Sequence, residues 1–215
     1  MPAVKHGPRL KGETVGTFID AIYAIAVTIL ALEIPGSEPG GTFDIAALAD
    51  VLTEYAVAFV LLFAFWLQHR RINNLADEVE RVGLWMNAAV LLLVCLVPRA
   101  TTLVFHHADD VTLAALIGGA GWTTAEAVDL FYVLVVVCID LGILGLMHLH
   151  RPTVASEELQ HLHRTKTTTS IVLVLVVLLS FLLPFENRYF LLVIPVVLFM
   201  ENELSRGLER LLRRT

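Results

Sequence analysis

The chain has 215 residues, of which 57% are hydrophobic and only 17% are charged, and its mean hydropathy is +0.75. Soluble domains are about half apolar and about one quarter charged, so this composition excludes an ordinary soluble domain and indicates an all-α integral membrane protein. The net charge of -6 also argues against a nucleic-acid partner, because phosphate binding requires a basic surface.

Six segments are apolar enough to cross a bilayer as helices, which takes roughly 20 residues each. We predict a single six-helix domain covering residues 1–215, with Pro195 kinking the last helix. The predicted spans are approximately Thr17–Ile34, Val51–Gln68, Val82–Phe105, Thr124–Met147, Thr168–Leu183 and Tyr189–Leu204. Cys95 and Cys138 fall inside apolar runs, and we interpret both as small buried hydrophobic side chains.

The distribution of Lys and Arg predicts the orientation of these spans. Thirteen of the 15 basic residues lie in the N-terminal tail, in the loops after the second and fourth spans and in the C-terminal tail. Lys166 is counted in the loop after the fourth span. Only Arg99 and Arg188 lie on the other side. By the positive-inside rule, both termini are cytoplasmic, and we expect a multi-pass protein of the plasma membrane.

The first span carries two stripes of apolar residues. At about 100° per residue, large side chains fall within about 80° of one another, namely Phe18, Ile22, Ile25, Ile29 and Leu32. The adjacent stripe consists of small residues suited to close helix packing, namely Ala21, Ala24, Thr28 and Ala31. The periodicity by itself favours lipid contact or a bundle core for the large stripe. The alternative is a hydrophobic constriction, formed if copies of this helix surround an axis.

Asp20 lies about 200° from Phe18 and therefore opposite the large stripe. A carboxylate at this depth needs a polar partner. The candidates at the cytoplasmic ends of the next two spans are His69, Trp85 and Asn87. We predict that Asp20 is the centre of a buried polar cluster with these residues, and a single aspartate hydrated at the membrane interface is the alternative.

Three motifs in the first half of the chain resemble one known family. "FIDAIYAIAVTILALEIP" is similar to the signature first helix of the transmembrane-protein-175 family of potassium channels, with Phe18 and Asp20 at the matching positions. "FWLQHR", which contains Trp66 and His69, resembles the end of its second helix, and "WMNAAVLLLVCLVPRATTLV" resembles its third. The family's Arg and Ser are replaced by Thr14 and Ile19 here, and Arg9 or Lys11 is a candidate substitute for the missing cation.

The resemblance implies a potassium-preferring channel that needs no cofactor and assembles in the lipid bilayer as a homotetramer, with first helices lining the pore. Ile25 is then expected to form the main constriction, with Ile29 and Leu32 as further apolar rings. Thr28, about 60° from Ile25, can offer a hydroxyl to a partly dehydrated ion. Glu33 and acidic outer loops are expected to concentrate cations at the mouth.

Other functions have weaker support in the sequence. Asp129 and Asp140 share one face of the fourth span, which is compatible with a proton-coupled transporter. An intramembrane enzyme would need polar groups converging at one depth, which the sequence does not reveal, and no catalytic motif is present. A zinc site is a remote alternative at the histidines flanking the loop after the fourth span, namely His148, His150, His161 and His163.

Overall fold

The computed structural model describes residues 10–32, 45–74, 76, 78–106, 124–150, 157–182, 194, 196 and 198. These residues form six helices and two short strands. The helices are α1 Gly12–Leu32, α2 Ile45–Asn74, α3 Arg81–Val94, α4 Val97–His106, α5 Thr124–His150 and α6 Glu157–Leu182. The strands are β1 Leu10–Lys11 and β2 Glu78–Val79.

Four candidate membrane spans occur among the described residues, and they correspond to the first four predicted spans. They run over Gly12–Leu32, Val51–Asn74, Arg81–Phe105 and Val128–Leu149. Residues 168–182 of the predicted fifth span lie in α6, which begins earlier, at Glu157, and Leu183 lies outside the described residues. Most of the predicted sixth span, Tyr189–Leu204, lies outside the described residues, as do Glu33, the acidic outer loops and the C-terminal tail.

The third span is divided into two helices. Helix α3 ends at Val94, two turn residues follow, and α4 begins at Val97. Pro98 explains the break, because it has no N–H for the carbonyl four residues earlier and its ring clashes with that carbonyl. A tighter bond, from the Leu96 N–H to the Leu93 carbonyl at 3.0 Å, closes the turn instead. Cys95 lies in this turn and is exposed, so our interpretation of it as a buried side chain was wrong.

The two strands qualify the all-α prediction. Leu10 and Lys11 pair antiparallel with Val79 and Glu78, respectively. This pairing fastens the segment before α1 to the connection between α2 and α3. The start of α1, the end of α2 and the start of α3 therefore lie at the same end of the helical assembly.

The core is formed where α1 packs on α2 and where α5 packs on α3, α4 and α6. Helix α1 turns one continuous face to this core, and it is made of Val15, Ile19, Tyr23, Ala26 and Leu30. The small stripe, which we expected to pack closely, is exposed within the single chain. Tyr23 and larger aliphatic side chains make the intrachain contact instead.

Candidate functional site

The large stripe of α1 lies on its exposed side. Phe18, Ile25, Ile29 and Leu32 have exposed fractions of 58%, 52%, 41% and 78%, and Ile22 is half-buried at the edge. These side chains form an apolar column along the helix, opposite the face that packs against α2. A single chain thus leaves the column available to lipid or to other copies of α1.

Thr28 lies beside this column and is also exposed. Its Oγ1 donates a hydrogen bond to the Ala24 carbonyl oxygen at 2.7 Å. The hydroxyl proton is therefore directed into the helix, which leaves the oxygen lone pairs pointing outward. Such an oxygen can accept a hydrogen bond or contact a cation, but it cannot donate without giving up its bond to the backbone.

Asp20 lies at the edge of the α1–α2 interface and is bound from α2. The Trp66 Nε1–H donates to Asp20 Oδ1 at 2.9 Å. Arg70 Nε lies 3.6 Å from Asp20 Oδ2, and the two side chains retain 29% and 39% exposure. Trp66 and Arg70 are one helical turn apart, so they project from one face of α2 towards the same carboxylate.

Gly16 makes room for the cation that pairs with Asp20. A Cβ atom at Gly16 would lie only 1.7 Å from Arg70 Nη1. The guanidinium thus lies directly against the α1 backbone, one turn before Asp20. Arg70 provides the positive charge here, whereas Lys11 lies in β1 and Arg9 lies outside the described residues.

A second polar cluster is buried deeper, between α1, α2 and α3. His69 Nε2 lies 2.7 Å from Asn87 Oδ1, and Asn73 Nδ2 donates to the same oxygen at 3.0 Å. Asn87 Nδ2 donates to the Gly83 carbonyl at 2.8 Å, which fixes the orientation of the amide. Because Asn87 Oδ1 can only accept, His69 carries its proton on Nε2, and the Tyr23 hydroxyl then donates to Nδ1 at 3.5 Å.

The prediction that Asp20 is the centre of one buried cluster was therefore wrong. Asp20 binds Trp66 and Arg70, whereas His69 and Asn87 bind each other. The physical reason is that residues 66 and 70 lie on one face of α2 and residues 69 and 73 on another, so the two sets reach different neighbours. Tyr23, and not Asp20, is the α1 side chain that faces His69.

Two further positions from the sequence analysis have different environments from those expected. Trp85 is 69% exposed and lies outside both clusters. Ile19, at the position of the family's Ser, is fully buried in the core, so this position supplies packing and no polar contact. Asn73 was missed, although its spacing of four residues from His69 places it on the same helical face.

A third cluster joins the second half of the chain to α2. Lys166 Nζ on α6 bonds to Asp140 Oδ1 on α5 and to Gln68 Oε1 on α2. Lys166 and Asp140 are both only 1% exposed. Lys166 had been counted as a cytoplasmic loop charge, but it is buried within α6, and it is the partner that Asp140 requires.

The three clusters lie at a similar depth. Counted at 1.5 Å per residue, Asp20, Gln68, Asn87, Asp140 and Lys166 lie about 9–15 Å from the nearby helix ends. The sequence had revealed no such convergence. Their polar groups bind one another across helices, so the layer is largely internally neutralised.

A cavity of about 310 Å³ adjoins this layer between α1 and α2. It is lined by Asp20 and mainly by apolar and aromatic side chains. In the described part of the chain, no group of three or more His, Cys, Asp or Glu is arranged to hold a metal ion. The side chains of His150, His161 and His163 are outside the described set.

Comparisons with known proteins found a family model, curated relatives and a solved structure that are similar to this chain. Residues 14–98 match the family described as "Endosomal/lysosomal potassium channel TMEM175". Over 97 residues, the chain is 31% identical to "Potassium channel B446_29190" of Streptomyces collinus. This aligned stretch covers 43% of this chain and 47% of the relative. It is 26% identical over 96 residues to "Potassium channel Cha6605_3372" of Chamaesiphon minutus, covering 42% and 47%. The match thus spans about half the length of each curated relative.

The fold matches over a much longer stretch. The crystal structure of a lysosomal potassium-selective channel TMEM175 homologue from Chamaesiphon minutus superimposes with a TM-score of 0.69 at 18% identity, covering 88% of this chain and 96% of that one. At this identity, the superposition shows a shared fold. The matched residues 14–98, which include most of α1 and the clusters around Asp20 and His69, are similar to the TMEM175 family.

Proposed function

We propose that this protein is a potassium-preferring cation channel in which the exposed column of α1 lines the ion pathway. The observation that carries the proposal is the column itself, Phe18, Ile25, Ile29 and Leu32, which faces away from the chain's own core. The names of the two curated relatives, both "Potassium channel", support potassium as the ion.

In this proposal, four copies of the chain surround one axis, and Ile25 forms the narrowest ring. The small stripe, exposed in the single chain, allows neighbouring helices to approach closely. An apolar ring hinders passage by dewetting and cannot replace an ion's hydration shell. Potassium is less tightly hydrated than sodium, so it crosses such a ring at a smaller cost.

Ile29 and Leu32 form further rings on the same column, and Thr28 supplies the polar group nearest to it. Its outward lone pairs can replace one water of a partly dehydrated cation. The Trp66–Asp20–Arg70 contacts fix the rotation of α1 and thereby keep the column directed at the axis. We place the protein in the plasma membrane with both termini cytoplasmic. The pairing of β1 with β2 keeps the N-terminal segment beside the α2–α3 connection, which is flanked by Arg70, Arg71 and Arg81 in the two helices.

The transporter alternative gains no support from the geometry. A proton-carrying aspartate must exchange between partners during transport, whereas Asp140 is buried and ion-paired to Lys166. We therefore favour the channel.

The test is ion flux in liposomes containing the purified protein. An outward potassium gradient is imposed, valinomycin provides the full-release control, and the measurement is repeated with sodium. We expect passive flux that is faster for potassium. Ile25→Asn should raise the flux and reduce the preference for potassium, because a polar ring stays hydrated.

The matched control is Ile171→Asn on α6, since Ile171 is 56% exposed and Ile25 is 52% exposed. It makes the same substitution on a side chain of similar exposure that lies away from α1. The proposal fails if Ile25→Asn and Ile171→Asn have the same effect, or if flux requires a proton gradient and Asp140.

A further inference from the structure

We propose that Lys166 is a positioning residue for the ion pathway: paired with Asp140, it holds Gln68 and so fixes the α2 segment that orients α1. This inference rests on the proposed function, because it assigns α6 a role in setting the pathway helix. It concerns residues beyond the stretch 14–98 that matches the family.

Burial keeps Lys166 and Asp140 in contact with each other. Lys166 and Asp140 are each 1% exposed, and a buried charge that loses its partner is strongly destabilising. The ammonium therefore stays against Asp140 whenever α5 and α6 are packed. Its remaining donors are available to a third group, and Gln68 Oε1 occupies one of them.

Gln68 is held by this bond alone among the described residues. Its Oε1 accepts from Lys166, whereas its Nε2 is buried and has no hydrogen-bond partner in the described structure. A buried amide nitrogen without a partner is uncommon. The charge-assisted bond from Lys166 to Gln68 Oε1 is about twice as strong as a neutral hydrogen bond. This bond explains why the Gln68 amide keeps an orientation in which its Nε2 has no partner among the described residues.

The neighbours of Gln68 on α2 hold α1 and α3. Trp66 and Arg70 bind Asp20 on α1, and His69 contacts Tyr23 on α1 and Asn87 on α3. Within five residues, α2 thus contacts α1, α3 and α6 through polar side chains. A shift or rotation of this segment would move every one of these contacts together.

It follows that α6 is coupled to the direction of the apolar column. Lys166 does not reach the column itself. It acts through Gln68, which lies on α2 between Trp66 and Arg70, the two residues that bind Asp20 on α1. Loss of the Lys166–Gln68 bond should therefore change the surroundings of Trp66 and the ion flux together.

The decisive variant is Gln68→Met. It keeps the side-chain length and the Lys166–Asp140 pair, and it removes the Nε2 group that has no partner, so the variant should fold. Two readouts are taken: potassium flux in liposomes, and the emission and quenching of Trp66 in a background carrying Trp85→Phe and Trp122→Phe. We expect a shift in Trp66 emission and about a tenfold change in flux, which is what one charge-assisted hydrogen bond supplies to a two-state equilibrium.

The control is Ser170→Ala on α6, one turn from Lys166. The Ser170 hydroxyl is buried and has no hydrogen-bond partner among the described residues, so its removal should change neither readout. A second variant, Asp140→Leu with Lys166→Met, replaces the pair by apolar groups, which is often tolerated. It should reproduce the Gln68→Met result.

The two proposals can fail separately. An unchanged Trp66 signal in folded Gln68→Met overturns the inference, whether or not the parent protein conducts. A changed Trp66 signal with unchanged flux also overturns it, because the segment would then move without affecting the pathway. Absence of flux in the parent refutes the channel, and in that case the inference fails with the function on which it rests.

Discussion

Replacing Asn87 by Leu tests the buried cluster between α1, α2 and α3. Asn87 Oδ1 accepts from His69 Nε2 at 2.7 Å and from Asn73 Nδ2 at 3.0 Å. Leucine would leave the His69 N–H buried without a partner, at a cost of about 1–3 kcal/mol. Asn73 Nδ2 would keep its bond to the His69 carbonyl at 3.0 Å, so losing its second acceptor should add only about 1 kcal/mol.

The expected loss is therefore about 2–4 kcal/mol, which lowers the melting temperature by about 4–16 °C for a chain of this size. The assay is thermal unfolding in detergent, followed by size-exclusion chromatography of the heated samples. The measurement is repeated on the single variant His69→Phe and on the double variant that combines Asn87→Leu with His69→Phe. Because both polar partners are now apolar, the double variant should be more stable than the sum of the single losses predicts, by about 1–2 kcal/mol.

Two results would refute this reasoning. If Asn87→Leu unfolds at the parent temperature, the His69–Asn87 bond contributes nothing and the cluster does not hold the helices. If the losses from Asn87→Leu and His69→Phe are simply additive, the two side chains are not coupled. The tautomer offers an independent check, since ¹⁵N spectra of labelled protein should show His69 protonated on Nε2 and not on Nδ1.

Three further predictions concern α1. Gly12→Ala should destabilise the fold by about 1–3 kcal/mol, because its Cβ would lie 2.0 Å from a backbone carbonyl oxygen at position 76, which cannot move independently of the chain. Gly16→Ala should leave the melting temperature nearly unchanged, since the helix gains about 1 kcal/mol and only the flexible Arg70 side chain must move; equal losses at the two glycines would contradict this. Thr28→Val should lower the ratio of potassium to sodium flux, whereas Thr53→Val, which removes a similar back-bonded exposed hydroxyl on α2, should not; an unchanged ratio in Thr28→Val would exclude the hydroxyl from the pathway.

Hydropathy was sufficient to locate the four helices that qualify as membrane spans. Long apolar runs such as Val128–Leu149 have few alternatives in a bilayer, where each backbone group needs an internal hydrogen bond. Helical periodicity also placed Phe18, Ile25, Ile29 and Leu32 on one face of α1. Their exposure in the single chain agrees with that arrangement, while the constriction they would form stays a prediction.

The polar contacts could not be predicted in the same way, because they depend on how helices are rotated against one another. Asp20 had three plausible partners by depth, yet the rotation of α2 brings Trp66 and Arg70 to it and turns His69 inward. Lys166 precedes an apolar run and resembles a loop charge in sequence. Its burial depends on Asp140, which lies 26 residues earlier on the antiparallel helix α5.

The most direct test of the central claim is chemical modification of the column during ion flux. Cys95 and Cys138 are first replaced by Ala, and Ile25→Cys is introduced, with Ile171→Cys as the control. A positively charged thiol reagent is added to potassium-loaded liposomes, and modification is verified by mass spectrometry. The account predicts that the reagent blocks flux through Ile25→Cys, that potassium slows the block, and that Ile171→Cys conducts as before. Complete modification at Ile25→Cys with unchanged flux would contradict the claim that α1 lines the pathway.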